Sequence, residues 1–538
     1  MHPIRLILTL LLALLLTGAP GALAQADTVE ALVRALPEGG YSEREKVIFA
    51  LAETGDDRVA RLLGVLGEGD LYLHEADGRV VAARRSGEGY AISDALSGEA
   101  LGTVEKGALE KIRVNNRLRR AIDGAIAQLT LMSPRAPVRL SAARNLLKTA
   151  EPDALDLLDK ALARESDADV RRVMEQARAA IVLKTETSVE EQLAAVEMLA
   201  ERGDREALAM LTGALAGAAP PVQSALRSGI ASVERRLALW DALQNVWYGL
   251  SLGSVLLLAA IGLAITFGVM GVINMAHGEI VMLGAYTTFA VQQVIRTSFP
   301  GLFDYSLAIA LPLAFLIAAL VGIAIERGII RWLYGRPLET LLATWGLSLV
   351  LQQTVRTIFG PNNREVGNPA WMSGAFELGG LSITWNRLWI VAFALFVFAV
   401  LLAVLNRTQL GLQMRAVTQN RRMASAMGIR TPWVDAMTFG LGSGIAGMAG
   451  VALSQIDNVS PNLGQSYIID SFMVVVFGGV GNLWGTLVGA FTLGVVNKFL
   501  EPYAGAVLGK ILILVFIILF IQRRPRGLFA LKGRAVDA

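Results

Sequence analysis

Long apolar segments fill the second half of the chain, whereas the first half alternates apolar and polar positions with the period of amphipathic helices. A helix needs about 20 mostly apolar residues to cross a bilayer. Segments of this kind predict spans at 243–272, 279–295, 307–325, 338–359, 388–405, 433–456 and 505–521. Residues 468–499 form two shorter apolar pieces, broken by glycines at 478, 479 and 481, which predicts two short crossings or a re-entrant hairpin. The expected fold is an all-α polytopic membrane domain, residues 243–531, with about eight or nine transmembrane segments.

Residues 27–236 carry amphipathic helical patterns and two stretches that look like copies of each other. Residues 139–158 resemble residues 191–211, with equivalent alanines at Ala142 and Ala194. Repeated helix pairs predict a HEAT-like stack, in which each pair buries its apolar face against its neighbours. Short alternating runs near 71–104, bounded by Gly and Asp turns, predict a small β-hairpin insert. Such a domain is either a docking surface or a spacer without a partner of its own, and the sequence leaves both open.

The N-terminus has the pattern of a secretory signal peptide over residues 1–24. Arg5 supplies the positive charge, residues 6–16 are an apolar run, and Ala22-Leu23-Ala24 offers small residues for cleavage. The alternative is a short membrane anchor, but this run spans only about 16 Å as a helix. Cleavage after Ala24 would place the domain at 27–236 outside the cytoplasm, in the periplasm.

Basic residues predict the orientation of the spans. They concentrate in the loops after the third and fifth spans and in the C-terminal tail: Arg327, Arg331, Arg336, Arg407, Arg415, Arg421, Arg422, Arg430, Arg523, Arg524, Arg526, Lys532 and Arg534. The positive-inside rule places these segments in the cytoplasm. The prediction is a multi-pass inner-membrane protein with a cytoplasmic C-terminus and a periplasmic N-terminal domain.

Composition excludes several classes of function. Of the 538 residues, 54% are hydrophobic and 18% charged, and the mean hydropathy is +0.51. The absence of cysteine and the presence of three histidines argue against thiol catalysis and a metal centre. A net charge of +3 does not favour nucleic acid. Without a G-x-x-x-x-G-K-S/T motif, ATP binding of that type is not expected. No catalytic residue, metal or cofactor is predicted.

Polar residues inside the spans are candidates for a translocation path, because burying them in a membrane is costly. The candidates are Asn274, Thr344, Ser348, Gln352 and Gln353. The junction 274–279 is either a break that exposes polar groups to a solute or a tight cytoplasmic turn, and span counting favours the turn. Arg356 and Asp470 are a candidate structural ion pair.

Two further local patterns stand out. Small residues at helical spacing, Gly442 with Gly450 and Gly481 with Gly485 and Gly489, predict close helix packing. In the cytoplasmic loop, Asn420 is a candidate N-cap, Gly428 a helix stop, and Arg421, Arg422, Met423, Ala424 and Met427 lie between them. A short helix with an adaptable Met face and a charged rim suits docking into a partner's groove. A solvated linker is the alternative.

Three motifs carry a family resemblance. Gly-Leu-Ser-Leu-Gly-Ser at 249–254, the glycine-rich run from Gly262 to Glu279, and Leu-Gly-Ala-Tyr at 283–286 resemble the inner-membrane permeases of branched-chain amino acid type ABC importers. Within that family, the loop 415–429, with Asn420 where an acidic residue is more common, and the additional N-terminal domain are similar to the urea transporter permease subunit.

The resemblance implies an importer complex. Its expected components are a second homologous permease subunit, two cytoplasmic ATPase subunits docked on the loop helix 420–428, and a periplasmic solute-binding protein, all around a chain embedded in membrane lipid. Urea is the expected substrate, and branched-chain amino acids or short-chain amides are the alternative. A scaffold anchored by its spans is a third possibility. Nucleic acid is not an expected partner.

Overall fold

The computed structural model describes residues 29–86, 89–185 and 187–529, and these are mostly helical. The predicted signal peptide lies outside the described residues. Contacts between Cα atoms divide the chain into two compact units, one up to Leu237 and one from Ala238 onward.

Within the described residues, the first unit has a helical segment at 29–35 and then eight α-helices that precede the long helix α9. They are α1 (Tyr41–Glu53), α2 (Asp57–Glu68), α3 (Asn116–Leu131), α4 (Ala136–Thr149), α5 (Leu155–Leu162), α6 (Ala168–Val182), α7 (Val189–Arg202) and α8 (Arg205–Ala214). Side-chain N-caps explain several of the starts, because each cap accepts a hydrogen bond from an unpaired backbone N–H of the first turn. The caps are Asp56, Asn115, Asp167, Ser188 and Asp204.

A five-stranded antiparallel sheet lies between α2 and α3. Its strands are β1 (Leu71–His74), β2 (Arg79–Ser86), β3 (Gly89–Asp94), β4 (Ala100–Val104) and β5 (Leu109–Lys111), in the order β4-β3-β2-β1-β5. The sequence predicted only a hairpin here. The difference arises because β5 is only three residues long and pairs with β1, from which it is separated in the sequence by β2, β3 and β4. The alternation of apolar and polar residues within a short segment does not show such a pairing.

The second unit contains the apolar helices. They are α9 (Pro220–Met270), which starts in the first unit, α10 (His277–Ser298), α11 (Ser306–Gly328), α12 (Pro337–Phe359), α13 (Trp385–Arg407), α14 (Gln409–Gln419), α15 (Arg421–Ala426), α16 (Thr431–Leu453), α17 (Leu463–Gly478) and α18 (Leu483–Arg523). A short hairpin, β6 (Ala375–Leu378) and β7 (Leu381–Thr384), precedes α13.

Within the described residues, five helical stretches are long and apolar enough to cross a membrane. They are Pro220–Met270, Pro300–Trp332, Trp385–Arg407, Thr431–Leu453 and Leu483–Arg523, and α17 is a shorter apolar helix. Helices α10 and α12 have comparable length but carry charged residues such as Glu279 and Arg356. Helix α18 is interrupted at Gly505, where φ is +74°. Each predicted span thus coincides with helix, and α18 holds two of them on either side of its kink.

Helix α16 lies at the centre of the second unit. Almost every residue from Val434 to Leu453 is buried, and the helix packs against α10 and α11 through small residues. The outward faces of α11, α12 and α18 are apolar and exposed, with residues such as Leu320, Leu342 and Phe516. This inverted pattern, apolar outside and small or polar inside, is typical of a bundle surrounded by lipid.

Candidate functional site

One face of α12 carries a row of polar side chains inside the bundle. Thr340, Thr344, Ser348 and Gln352 follow one another at four-residue spacing, and all four are buried. Residues four apart lie on the same side of a helix, so these hydroxyls and the amide form one stripe. Gln353, another predicted path residue on α12, is exposed on a different face and does not belong to the stripe.

The break between α9 and α10 packs against this stripe. Thr344 Oγ1 accepts a hydrogen bond from the Met275 backbone N–H at 3.1 Å, and Ser348 Oγ donates to Glu279 Oε1 at 3.0 Å. Ser348 lies about 16 Å along α12 from the start of that helix. Glu279, in the first turn of α10, therefore lies beside the middle of α12. Asn274, His277 and Glu279 are at most 1% exposed. The connection at 274–279 is therefore buried within the bundle, and the interpretation as a tight cytoplasmic turn stays a prediction.

The start of α17 closes the row at its other end. Gln352 Nε2 donates to Asn462 Oδ1 at 3.1 Å and to the Pro461 carbonyl at 3.2 Å. Arg356 Nη2 donates to the same Asn462 oxygen at 2.6 Å. The predicted Arg356–Asp470 ion pair is wrong, because Asp470 pairs with Lys510 at 2.8 Å.

We call the set Asn274, Glu279, Thr344, Ser348, Gln352 and Asn462 the polar seam. The starts of α10 and α17 meet beside it, since a Cβ on Gly278 would lie 2.4 Å from the Gly464 carbonyl oxygen. Asn274 Oδ1 accepts from the Ala276 N–H, but Asn274 Nδ2 and Glu279 Oε2 are buried without a hydrogen-bond partner. Buried polar atoms are rarely left unpaired, so Asn274 Nδ2 and Glu279 Oε2 are the candidate atoms of the seam for a hydrogen bond to a further polar group.

Four of the five predicted path residues therefore meet in one place, and the prediction missed two members, Glu279 and Asn462. Glu279 was visible as an acidic residue at the start of an apolar span. Asn462 gave no local signal, because its partners lie more than 100 residues away in the chain. Among the described residues, no group of three or more His, Cys, Asp or Glu side chains could hold a metal ion.

The loop helix α15 is the second candidate site. Asn420 Oδ1 accepts a hydrogen bond from the Met423 N–H at 3.0 Å, and Gly428, at φ +89°, follows the helix end. Met423 is 61% exposed and Met427 is 78% exposed, while Ala424 is buried against the bundle. Arg422 is exposed. A hollow of about 700 Å³ lies next to this helix, lined by residues that include Arg327, Gly428 and Trp433.

Arg421 points the other way. It forms an ion pair with Asp435, a fully buried residue of α16, and its guanidinium lies 4.7 Å from the centre of the Tyr334 ring. The Tyr334 hydroxyl in turn donates to Glu326 at 3.1 Å. Arg421 is partly exposed, but its ion pair with Asp435 holds the loop helix on the bundle.

The predicted packing glycines lie where a side chain would clash with a neighbouring backbone. A Cβ on Gly442 would lie 2.7 Å from the Gly262 carbonyl oxygen, and one on Gly485 would lie 2.1 Å from that of Gly478. A Cβ on Gly489 would lie 3.0 Å from the Val474 carbonyl oxygen. Gly481 is not on their stripe, because it precedes α18 and has φ +81°. Gly481 lies in the bend before α18, so the prediction that Gly481, Gly485 and Gly489 share one helical stripe is wrong for Gly481.

Comparisons with known proteins agree on one family. Residues 245–521 match the family described as "Branched-chain amino acid transport system / permease component". The high-affinity branched-chain amino acid transport system permease protein LivH of Salmonella typhimurium is 31% identical over 297 residues, which cover 53% of this chain and 94% of that protein. BraD of Pseudomonas aeruginosa, a permease protein with the same description, is 28% identical over 54% of this chain and 96% of its own length. The ribose import permease protein RbsC of Bacillus subtilis is 31% identical over a shorter stretch, 19% of this chain and 34% of its own.

Proposed function

Since the chain belongs to the family of branched-chain amino acid transport system permease components, we propose that it is the permease subunit of an ATP-driven importer for branched-chain amino acids. The observation that carries this proposal is the similarity to LivH and BraD over nearly their whole length. It favours amino acids, the alternative of the sequence analysis, over urea.

The proposed complex contains a second homologous permease, two cytoplasmic ATPases and a periplasmic solute-binding protein. In the proposed orientation, the unit up to Leu237 lies in the periplasm, and α15 and the C-terminus face the cytoplasm. The basic residues of the loops support this orientation. One feature favours urea as a second candidate: the first unit lies outside the residues that match the family, as expected for the longer urea-type subunit.

We propose that the polar seam receives the charged end of the solute. Glu279 Oε2 is a buried acceptor without a partner, and Asn274 Nδ2 is a buried donor without one. An ammonium group would satisfy the carboxylate, and a carboxylate oxygen would accept from the amide. The starts of two helices beside the seam add partial positive charge for an anionic group.

Transport of leucine and urea distinguishes the two substrates. In proteoliposomes that hold the complete complex, we expect ATP-dependent accumulation of labelled leucine and no accumulation of urea above the level without ATP. The matched control is the same complex with non-hydrolysable ATP analogue. Accumulation of urea without leucine would overturn the proposed substrate and leave the permease assignment intact.

Glu279→Gln tests the role of the seam. The glutamine keeps an oxygen that can accept from Ser348 and replaces the unpartnered oxygen by an amide nitrogen. Loss of a charge-assisted hydrogen bond of about 1.5–3 kcal/mol predicts leucine uptake reduced about 10- to 100-fold. Gln353→Leu, on the exposed outward face of α12, should transport normally. Normal uptake by Glu279→Gln would show that the seam only packs the bundle.

Met423→Glu combined with Met427→Glu tests the docking role of α15. Both side chains are exposed, so the double variant should fold normally. Two buried carboxylates in an apolar interface should abolish co-purification of the ATPase subunits. Leu378→Glu, an exposed apolar residue of the β6–β7 hairpin, should retain them. Retained ATPases in the double methionine variant would mean that the docking surface lies elsewhere.

A further inference from the structure

A groove in the first unit has the size of a small-molecule site. It lies between the C-terminal ends of α4 and α6, helix α8 and the beginning of α9, and its volume is about 650 Å³. Ligand sites commonly measure about 300–1,000 Å³ and combine an apolar lining with a few polar groups. The groove is separate from the polar seam and from α15, since all its lining residues lie between 147 and 226.

The floor of the groove is aliphatic. Leu147, Val222 and Leu226 line it and are at most 4% exposed, so they belong to the core of the unit as well as to the groove. Met210 adds a flexible apolar side chain to the wall. A ligand that lies on this floor must therefore present a hydrocarbon surface to it.

The charges at the edge of the groove are not balanced. Lys148 and Lys184 are exposed lining residues, and Lys184 Nζ is held by the Thr149 carbonyl at 3.1 Å. The acidic lining residue Glu206 already forms an ion pair with Arg202. Neither Lys148 nor Lys184 forms an ion pair within the described residues, so two ammonium groups at the edge of the groove together attract an anionic group.

The C-terminal end of α4 forms the wall of the groove next to Lys148. Ala150 has φ +45° and is the only non-glycine residue with positive φ among the described residues. It lines the groove and is 3% exposed. Ala150 is the C-cap of α4, and its left-handed conformation, which glycine more often takes at this position, ends the helix with a hydrogen bond from its N–H to the Leu146 carbonyl. The alanine keeps a methyl group in the wall where a glycine would leave a gap.

We propose that this groove binds a small aliphatic carboxylate, with its hydrocarbon part on the floor of Leu147, Val222 and Leu226 and its carboxylate at Lys148 and Lys184. The first unit is then a ligand-binding domain, and neither a plain spacer nor a protein-docking surface explains its groove as well. This inference does not depend on which solute the membrane unit transports.

Charge reversal at the edge is the first test. The full chain in lipid nanodiscs is titrated with 4-methylpentanoate and followed by saturation-transfer NMR, with empty nanodiscs as the blank. Lys148→Glu combined with Lys184→Glu should weaken binding at least tenfold, while Lys160→Glu, an exposed lysine of the same unit outside the groove, should leave it unchanged. The amine 4-methylpentylamine should bind more weakly than the acid to the unaltered chain. Equal binding of acid and amine would overturn the proposal.

Filling the groove is the second test. Gly213 lines it, and a Cβ there would meet nothing within 4 Å, so Gly213→Leu occupies the groove without a clash. Gly124→Leu is the matched control, since this helical glycine is equally open but lies outside the groove. Gly213→Leu should abolish binding of 4-methylpentanoate and Gly124→Leu should not. Unchanged binding in Gly213→Leu would place the ligand elsewhere and refute the proposal.

Discussion

Replacing Gly450 by leucine is expected to prevent the second unit from assembling. A Cβ at this position would lie 2.0 Å from the Val281 carbonyl oxygen and 2.6 Å from the Ala285 backbone nitrogen. Both neighbours are backbone atoms of α10, so the clash can be relieved only by moving one helix away from the other. Overpacking in cores usually costs about 1–3 kcal/mol, and we expect more here because the whole α10–α16 contact must open.

The measurement is the fraction of detergent-extracted protein that elutes as a single species, together with its thermal unfolding temperature. Gly346→Leu is the matched control, because a Cβ on Gly346 of α12 meets nothing within 4 Å. Gly450→Ala should give an intermediate loss, since it adds only the first clashing atom. If Gly450→Leu eluted and melted like Gly346→Leu, the close approach of α10 and α16 would be refuted.

Arg421→Gln is expected to destabilise the chain by about 3 kcal/mol, because it leaves the buried carboxylate of Asp435 without its partner. We place the effect at the lower end of the range for buried pairs because the Arg421 side chain is 41% exposed. Glu326 is buried nearby and accepts a hydrogen bond from Tyr334. This second acidic group increases the cost of removing the positive charge of Arg421.

A double variant separates this effect from loss of the arginine itself. Asp435→Asn in the Arg421→Gln background removes the uncompensated charge and should restore most of the thermal stability. Arg422→Gln changes the exposed neighbour and should leave the melting temperature unchanged. Equal melting of Arg421→Gln and Arg422→Gln would show that the ion pair does not hold α15 on the bundle.

This pair also changes how the loop helix has to be tested. A charge reversal at Arg421 would break the ion pair that holds α15 on α16. A loss of ATPase binding in such a variant would therefore not show that α15 is the docking surface. Met423 and Met427 avoid this difficulty, because both side chains are exposed and neither is a member of the Arg421–Asp435 ion pair.

Family membership and substrate depend on different kinds of information. The motifs between Gly249 and Tyr286 extend over many residues and identify the family from sequence. In the proposed function, the choice between urea and an amino acid rests on a few polar atoms, among them Glu279 Oε2 and Asn274 Nδ2. The sequence does not show that these two atoms are buried without a hydrogen-bond partner.

The sequence alone determined the features that depend on near neighbours. Apolar runs placed the helices of the second unit, glycines at 478–481 placed the break between α17 and α18, and Asn420 with Gly428 placed the ends of the loop helix. These features follow from helical period, capping and positive φ, and each of these acts within a few residues.

Tertiary structure alone decided which distant side chains pair. Ser348 bonds Glu279 from 69 residues away, Gln352 bonds Asn462 from 110 away, and Lys510 takes Asp470 from 40 away. A periodic pattern shows which face of a helix is polar, but it carries no information on the helix that will face it. Burial of the 274–279 break and the partner of Arg421 were decided in the same way, because close packing through glycines set which backbones could approach.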